Sequence, residues 1–355
     1  DLFRVSGGDR HEYTLQGDAN HDAGFESDLP FSEYGPYLLP EGVEVREPET
    51  EKDTGSAEGH YYGYIYVRDV KKTDITDGRY DLTLVTEDSE EEKAKMKITG
   101  LVDSGDHELF IGMSPSLRAT RLHGKSMDNN NEAVKYMMPK MVLRREGNDL
   151  SSQFITAMEP YNSDETPQIE NIEKLEIDEG VEGDIAVQVT YGNITDIILS
   201  SVDPSVPLVV GDTKLEGKMG MIRLKDDKVQ DLYLVGGNLL EKDGVKVTDQ
   251  GSITGTINDV MRRAEGESMD AFIVDTKVPE EMKGNYIIVT HPDGKKHGYK
   301  IKNIDNENSR TMIEIDEMDP GFSITGEDKS ALQFYPFTEW NGITSFQIEN
   351  VVRNQ

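Results

Sequence analysis

Asp1-Leu2-Phe3-Arg4-Val5-Ser6-Gly7-Gly8-Asp9-Arg10-His11-Glu12-Tyr13-Thr14-Leu15-Gln16-Gly17 reads as strand, turn, strand. Its apolar Leu2, Phe3, Val5 and Leu15 form a strand pair that would expose a sheet edge if nothing came before it. An initiator, a signal peptide or a flexible tail normally precedes such an edge, so these 355 residues are expected to be a piece of something larger.

Outward from that stretch the dominant period stays at two. Tyr61-Tyr62-Gly63-Tyr64-Ile65-Tyr66-Val67, Tyr80-Asp81-Leu82-Thr83-Leu84-Val85, Lys95-Met96-Lys97-Ile98-Thr99 and Asp184-Ile185-Ala186-Val187-Gln188-Val189 set β-branched or aromatic residues against polar ones. Asp77-Gly78, Asp243-Gly244 and Asp293-Gly294 fall between such runs, where a tight hairpin needs positive φ. The best helical candidate, Ile257 to Ala264, is short.

The expectation is therefore an all-β chain: a large antiparallel two-layer β-sandwich over residues 1–240, then a smaller C-terminal β domain over 241–355. The boundary is drawn at the polar, glycine-containing stretch Lys242 to Thr256, after which Ala271-Phe272-Ile273-Val274 and Tyr286-Ile287-Ile288-Val289 begin a fresh series. No repeat is strict enough for a propeller or solenoid. The acidic run Glu87-Asp88-Ser89-Glu90-Glu91-Glu92 reads as a solvated hairpin loop.

Against 37 Lys and Arg stand 69 Asp and Glu, a formal charge of -32. Long-range repulsion argues against nucleic acid and against an anionic membrane surface as partners. Screening over about 8 Å still lets a cleft lined by Arg and Lys hold an acidic polymer. Absence of cysteine removes disulfides, Fe–S clusters, thiolate zinc sites and Cys nucleophiles together. No run approaches the roughly 18 apolar residues of a spanning helix; Ile197-Ile198-Leu199 and Leu208-Val209-Val210 are typical maxima. There is no Gly-x-Ser-x-Gly elbow, and Val235-Gly236-Gly237 lacks the third glycine of a dinucleotide loop.

Tyr61, Tyr62, Tyr64 and Tyr66 read either as a sugar-stacking platform or as core, and alternation places Tyr62, Tyr64 and Tyr66 on one face. His11, beside Arg10 and Tyr13, reads as a carbohydrate contact or as a structural histidine. His21 lies in Asp18-Ala19-Asn20-His21-Asp22-Ala23-Gly24, where Asp18, Asn20 and Asp22 fit either an Asx-rich turn or a calcium loop. His60, His107, His123, His291 and His297 sit in hydrophilic contexts and read as surface residues.

Three stretches, taken together, carry a resemblance. They are Asp1-Leu2-Phe3-Arg4-Val5 with Gly7-Gly8 and His11-Glu12-Tyr13; Leu109-Phe110-Ile111-Gly112-Met113-Ser114-Pro115-Ser116-Leu117-Arg118; and Arg144-Arg145-Glu146 leading to Ser151-Ser152-Gln153-Phe154-Ile155-Thr156-Ala157-Met158-Glu159-Pro160-Tyr161. Over roughly residues 1–240 the chain resembles the β-sheet region of heparinase II/III-like polysaccharide lyases. The resemblance implies an N-terminal α/α toroid, in cis or as a separate chain, with a uronate-containing polysaccharide such as alginate or a glycosaminoglycan lying between toroid and sandwich.

It further implies cleavage by β-elimination. A Tyr or His base removes the C5 proton while donors or positive charge neutralise the neighbouring carboxylate, because that proton is poorly acidic otherwise. The family's base and its zinc site belong to parts that would precede Asp1. No catalytic residue or metal ligand is therefore assigned, no cofactor is expected in this segment apart from the calcium alternative, and the segment alone is expected to be inactive. A secreted, periplasmic or cell-surface bacterial location follows from the same resemblance. Arg4, Arg10, His11, Tyr13, Arg118 and Arg121 are the substrate-binding candidates, since guanidinium pairs with carboxylate or sulfate through two parallel bonds. Arg144 and Arg145 are weaker ones, because a strand puts only one of them on a given face. The competing expectation is a stand-alone carbohydrate-binding or surface-adhesion module without catalysis.

Overall fold

The structure is a computed structural model that describes residues 1–46, 56–57, 59–87, 94–103, 105–118, 135–307, 310–316 and 318–354. The chain is all-β, and it divides into two units: residues 1–174 with 188–192, and residues 175–187 with 193–355. Arg121, His123 and most of the acidic run after Glu87 lie outside the described residues, as do the side chains of His60 and Tyr62.

The first unit holds β1 (Leu2–Ser6), β2 (Arg10–Gln16), β3 (Asp22–Glu26), β4 (Ser32–Tyr37), β5 (Val45–Arg46), β6 (Ser56–Ala57), β7 (Arg68–Ile75), β8 (Arg79–Glu87), β9 (Ala94–Val102), β10 (His107–Pro115), β11 (Met137–Glu146), β12 (Ser151–Asn162) and β13 (Asn171–Lys174). Two antiparallel five-stranded sheets, β1-β12-β9-β8-β3 and β2-β11-β10-β7-β4, form a sandwich. Its core draws Tyr80, Leu82, Ile98 and Phe154 from the first sheet and Tyr13, Leu109, Met141 and Leu143 from the second.

The opening stretch does not fold as a hairpin. β1 pairs with β12 and β2 pairs with β11, so Gly7 and Gly8, at φ +82° and +87°, carry the chain from one sheet to the other. The crossing is tied to the β11–β12 link by Gly7 N to Leu150 O at 2.7 Å and Leu150 N to Gly8 O at 2.8 Å. Asp77-Gly78 makes a second crossing, between β7 and β8. A turn's residues set its dihedral angles, whereas the partners of its flanking strands are decided by which apolar faces must meet.

Within the first sheet, the buried Tyr80 ring lies flat across its cross-strand partner Gly100, where an added Cβ would overlap the ring. Gly100→Ala should therefore lower unfolding free energy by about 1–3 kcal/mol, the usual range for overpacking a core. An unchanged denaturation midpoint would show that the ring can move aside.

The Tyr61–Val67 stretch is not the expected strand. Gly59–Tyr66 is a 3-10 helix whose Tyr64 packs on Leu38, Val67, Phe110 and Val142 over the outer face of the second sheet. Side chains three apart therefore meet, and Tyr61 and Tyr64 stand 5.9 Å apart between ring centroids. Alternation across Tyr62, Tyr64 and Tyr66 does not apply there.

β14 (Ile185–Tyr191) runs through the division between the units. The second unit then holds β15 (Ile194–Ser200), β16 (Leu208–Val210), β17 (Thr213–Lys225), β18 (Lys228–Lys242) and β19 (Val245–Thr248). Next come β20 (Ile253–Met261), β21 (Ala271–Val274), β22 (Tyr286–Thr290), β23 (Lys296–Glu307), β24 (Arg310–Ile315), β25 (Phe322–Gly326), β26 (Lys329–Leu332), β27 (Thr338–Asn341), β28 (Ser345–Ile348) and β29 (Val351–Arg353). Strands β15-β17-β18-β19 pair in that order, with β16 beside β17 and β29 beside β18. Strands β20-β21-β24-β23-β22-β28 close a barrel around Phe272, Ile287, Ile313 and Phe346, and β25-β26-β27 form a small sheet.

The division therefore lies at Lys174, not near residue 240. Residue 240 is inside β18, which is continuous to Lys242 and pairs on with β19 through the Asp243-Gly244 turn. The polar stretch after Lys242 marks a hairpin and a connection, because turn residues punctuate strands as readily as domains.

Ile257 to Ala264 does not form the expected helix. It is the end of β20 followed by a 3-10 turn at Arg263–Glu265. A bulge between Ile257 and Asp259 shifts the phase, so Ile257 and Val260 both enter the barrel core at a spacing of three that imitates a helix.

Candidate functional site

Strand β2 sends its residues to two different places. Arg10, Glu12 and Thr14 point away from the sandwich core, whereas His11, Tyr13 and Leu15 point inward.

On the outer face, antiparallel register sets Glu12 opposite Arg144 and Arg10 opposite Glu146. Arg144 is 2% exposed, and its Nε donates to Glu12 Oε1 at 2.8 Å. The guanidinium also lies 4.6 Å from the Phe110 ring centroid, and its Nη2 is buried without a hydrogen-bond partner. Glu12 Oε2 accepts a second hydrogen bond, 2.6 Å, from Tyr64 Oη. Burial first, and then this carboxylate, push the Tyr64 phenol up to about 12, so it remains a donor at neutral pH. At the rim Arg10 Nε donates to Glu146 Oε1 at 2.7 Å, and the guanidinium covers Tyr61 at 5.5 Å.

Beneath the 3-10 helix Glu12 and Tyr64 border a cavity of about 200 Å³ that is also lined by Thr14, Lys140 and Val142 among others. That is below the roughly 300–1,000 Å³ of drug-sized ligand sites and suits one ring rather than an oligomer. Its charge balance favours an anion. Both oxygens of Glu12 are engaged, whereas the Lys140 ammonium takes part in no ion pair among the described residues.

Inside the sandwich, Tyr13 is 7% exposed, stacks on Phe154 with centroids 5.6 Å apart, and donates its hydroxyl to Asp1 Oδ2 at 2.8 Å. His11 is 4% exposed. Its Nε2 donates to the Gly7 carbonyl at 2.7 Å, and its Nδ1 shares a 2.9 Å hydrogen bond with Ser152 Oγ. Arg145, on the opposite face from Arg144, donates Nη1 to Ser151 O at 2.6 Å and to Ser152 Oγ at 3.1 Å. Both ring nitrogens of His11 are thus engaged in tying the Gly7-Gly8 crossing to β12. Neither His11 nor Tyr13 has the surface that contact with a polymer requires.

The remaining candidates are separate from that cavity. Arg4 lies opposite Gln153 on β1, and Arg118 donates Nη1 to Asp22 Oδ1 at 2.6 Å. Asp18 accepts from Asn20 N at 2.7 Å and contacts His21 Nδ1 at 2.6 Å, the geometry of an Asx turn closed by a histidine. With Asp22 held by Arg118, the loop's oxygens face protein donors. Among the described residues no group of three His, Asp or Glu side chains is arranged to hold a metal ion.

Two histidines expected at the surface are interior. His107 is 1% exposed and bonds the Gly105 carbonyl at 3.1 Å through Nδ1. His291 is 2% exposed and stacks on Trp340 with centroids 4.4 Å apart. Hydrophilic neighbours in sequence do not report which way a strand-end side chain turns.

The outer-face residues that the sequence reading does not single out are Glu12, Thr14 and Lys140, which the structure brings beside Tyr64. A signal for them was present: Arg10-x-Glu12-x-Thr14 and Lys140-x-Val142-x-Arg144-x-Glu146 carry complementary charges when run antiparallel. No model of a known protein family matches the chain, and no curated protein matches it.

Proposed function

We propose that this chain is the β-sheet portion of a polysaccharide lyase acting on uronate-containing polysaccharide outside the bacterial cell, and that it contributes binding rather than bond cleavage. The observation that carries the reading is the outer-face cavity of the first unit. An aromatic ring, a hydroxyl, a carboxylate with both oxygens engaged and an ammonium that has no ion pair among the described residues meet there in a space suited to one acidic sugar. Lys140 supplies the charge for the sugar carboxylate, Tyr64 an apolar surface, and Thr14 a hydroxyl partner. The toroid, the base and any zinc or other divalent cation belong in this reading to other parts of the enzyme.

Burial of His11 and Tyr13 favours a second reading, a stand-alone carbohydrate-binding or surface-adhesion module, because the two residues nearest to catalytic types are structural. Assaying the chain with alginate and hyaluronate for the ultraviolet absorbance of unsaturated uronate products, with and without a toroid-containing partner, separates the two. Product that appears only with the partner supports the lyase portion, and retention without product in either case supports the module.

For the cavity itself, Lys140→Met should weaken affinity for alginate about tenfold at low ionic strength, equal to about 1.4 kcal/mol. Added salt should reduce wild-type affinity toward the variant's. Unchanged affinity in titration calorimetry would remove the cavity from the proposal.

A further inference from the structure

In the second unit, the loop joining β26 to β27 contains Phe334-Tyr335-Pro336-Phe337. Phe334 is 52% exposed, Tyr335 90% and Phe337 75%. Turns are ordinarily built from Gly, Asn, Asp, Ser and Pro, each for a conformational reason, and adjacent exposed rings satisfy none of those reasons. Clustered apolar exposure of this kind marks a surface that something covers.

The base of the loop is braced. Gln333 N donates to Gly321 O at 2.8 Å, and Thr338 Oγ1 donates to Pro336 O at 3.2 Å. Phe334 packs on Gly321, where a Cβ would come within 2.5 Å of the ring; this glycine, at φ +76°, makes the room. Beneath it the Arg262 guanidinium lies 6.0 Å from the Phe334 centroid and is itself clamped by Asp319 through two bonds of 2.7 and 2.8 Å. Tyr335 and Phe337 therefore project from a fixed support, which reduces the ordering entropy lost on binding.

The charge pattern narrows the occupant. Gln333 to Phe337 contains no charged residue, on a chain of net charge -32. An anionic membrane is repelled by that field, and Arg262, the cation at the loop, is already saturated by Asp319 and Glu265. An uncharged aromatic surface flanked by the amide of Gln333 and the hydroxyl of Thr338 matches a ligand with one apolar C–H face and hydroxyls around its edge. We propose that the Phe334–Phe337 loop is a stacking site for the pyranose rings of a neutral polysaccharide. It is independent of the uronate site, which lies in the other unit and depends on Lys140.

The test is affinity electrophoresis of the full chain in gels containing hydroxyethylcellulose, galactomannan or xyloglucan, with an alginate gel run beside them. Retardation is expected in at least one neutral gel, and should be weakened at least tenfold in the double variant Tyr335→Ala/Phe337→Ala. Both rings are exposed, so the variant should keep the wild-type melting temperature. Absence of retardation in all three neutral gels overturns the proposal, as does retardation that the double variant retains. So does a dimer in sedimentation that the double variant abolishes, because a second copy would then cover the rings. Loss of alginate retention alone would overturn only the uronate reading.

Discussion

Arg144→Ala should lower the unfolding free energy of the first unit by about 3–5 kcal/mol, the usual consequence of removing one partner from a buried ion pair. The arginine is 2% exposed and the Glu12 side chain 14%, so the carboxylate left behind has little water to turn to. Of the two hydrogen bonds that Glu12 accepts among the described residues, only the one from Tyr64 Oη would then remain, and Phe110 would lose the guanidinium packed over its ring. Replacing both members together, in Arg144→Met/Glu12→Leu, should recover most of the loss, because an apolar pair carries no desolvation penalty. Urea denaturation of the wild type and both variants measures this. A single-variant loss below about 1 kcal/mol would place the pair among the weakly contributing exposed ones.

Acid should weaken the second unit in a window set by His291. Burial first, and then the neighbouring His297, bring the His291 imidazole from its ordinary 6.5 down to about 4. Its Nε2 lies 2.9 Å from His297 Nδ1, its Nδ1 is buried without a partner, and Trp340 and Phe322 close over the ring. Between those two pH values the unfolded chain binds a proton that the folded chain does not. Stability contributed by the neutral ring is therefore complete above about pH 6.5, falls as pH drops toward 4, and changes no further below it. The total is about 3 kcal/mol at 1.36 kcal/mol per pH unit. Thermal melts of the wild type and His291→Asn from pH 7.5 to 4 should show the variant losing much less over this range. Parallel curves would mean that the groups that titrate are others.

Legibility differed from element to element. Tyr80 to Val85 is legible as a strand because Tyr80, Leu82 and Leu84 are buried in the core while Asp81, Thr83 and Val85 are less buried, so burial writes itself as alternation. Lys95 to Thr99 alternates only in residue type, since Ile98 and Thr99 are both buried. Ile257 and Val260 were misleading because a bulge erased that alternation, and Tyr61 to Val67 because aromatic residues covering a sheet obey the contacts of the cover rather than strand propensity. Arg10 and His11 were proposed together as a site, yet neighbours on a strand face opposite sides, and only Arg10 remains at the surface. Arg144, the weaker candidate, is the one at the centre of the outer-face cluster, since its value depends on Glu12, which is remote in sequence.

By itself the sequence determined the β class, the lack of thiol chemistry and the acidic surface, all of which follow from composition and from a period set by local backbone geometry. Only the tertiary structure decided which strands pair, where the units divide and which polar residues meet. Those outcomes depend on register and on burial of apolar faces between segments far apart in the chain. Gly7-Gly8 would serve a hairpin or a crossing equally well; Phe154 and Tyr13, brought together from opposite sheets, select the crossing.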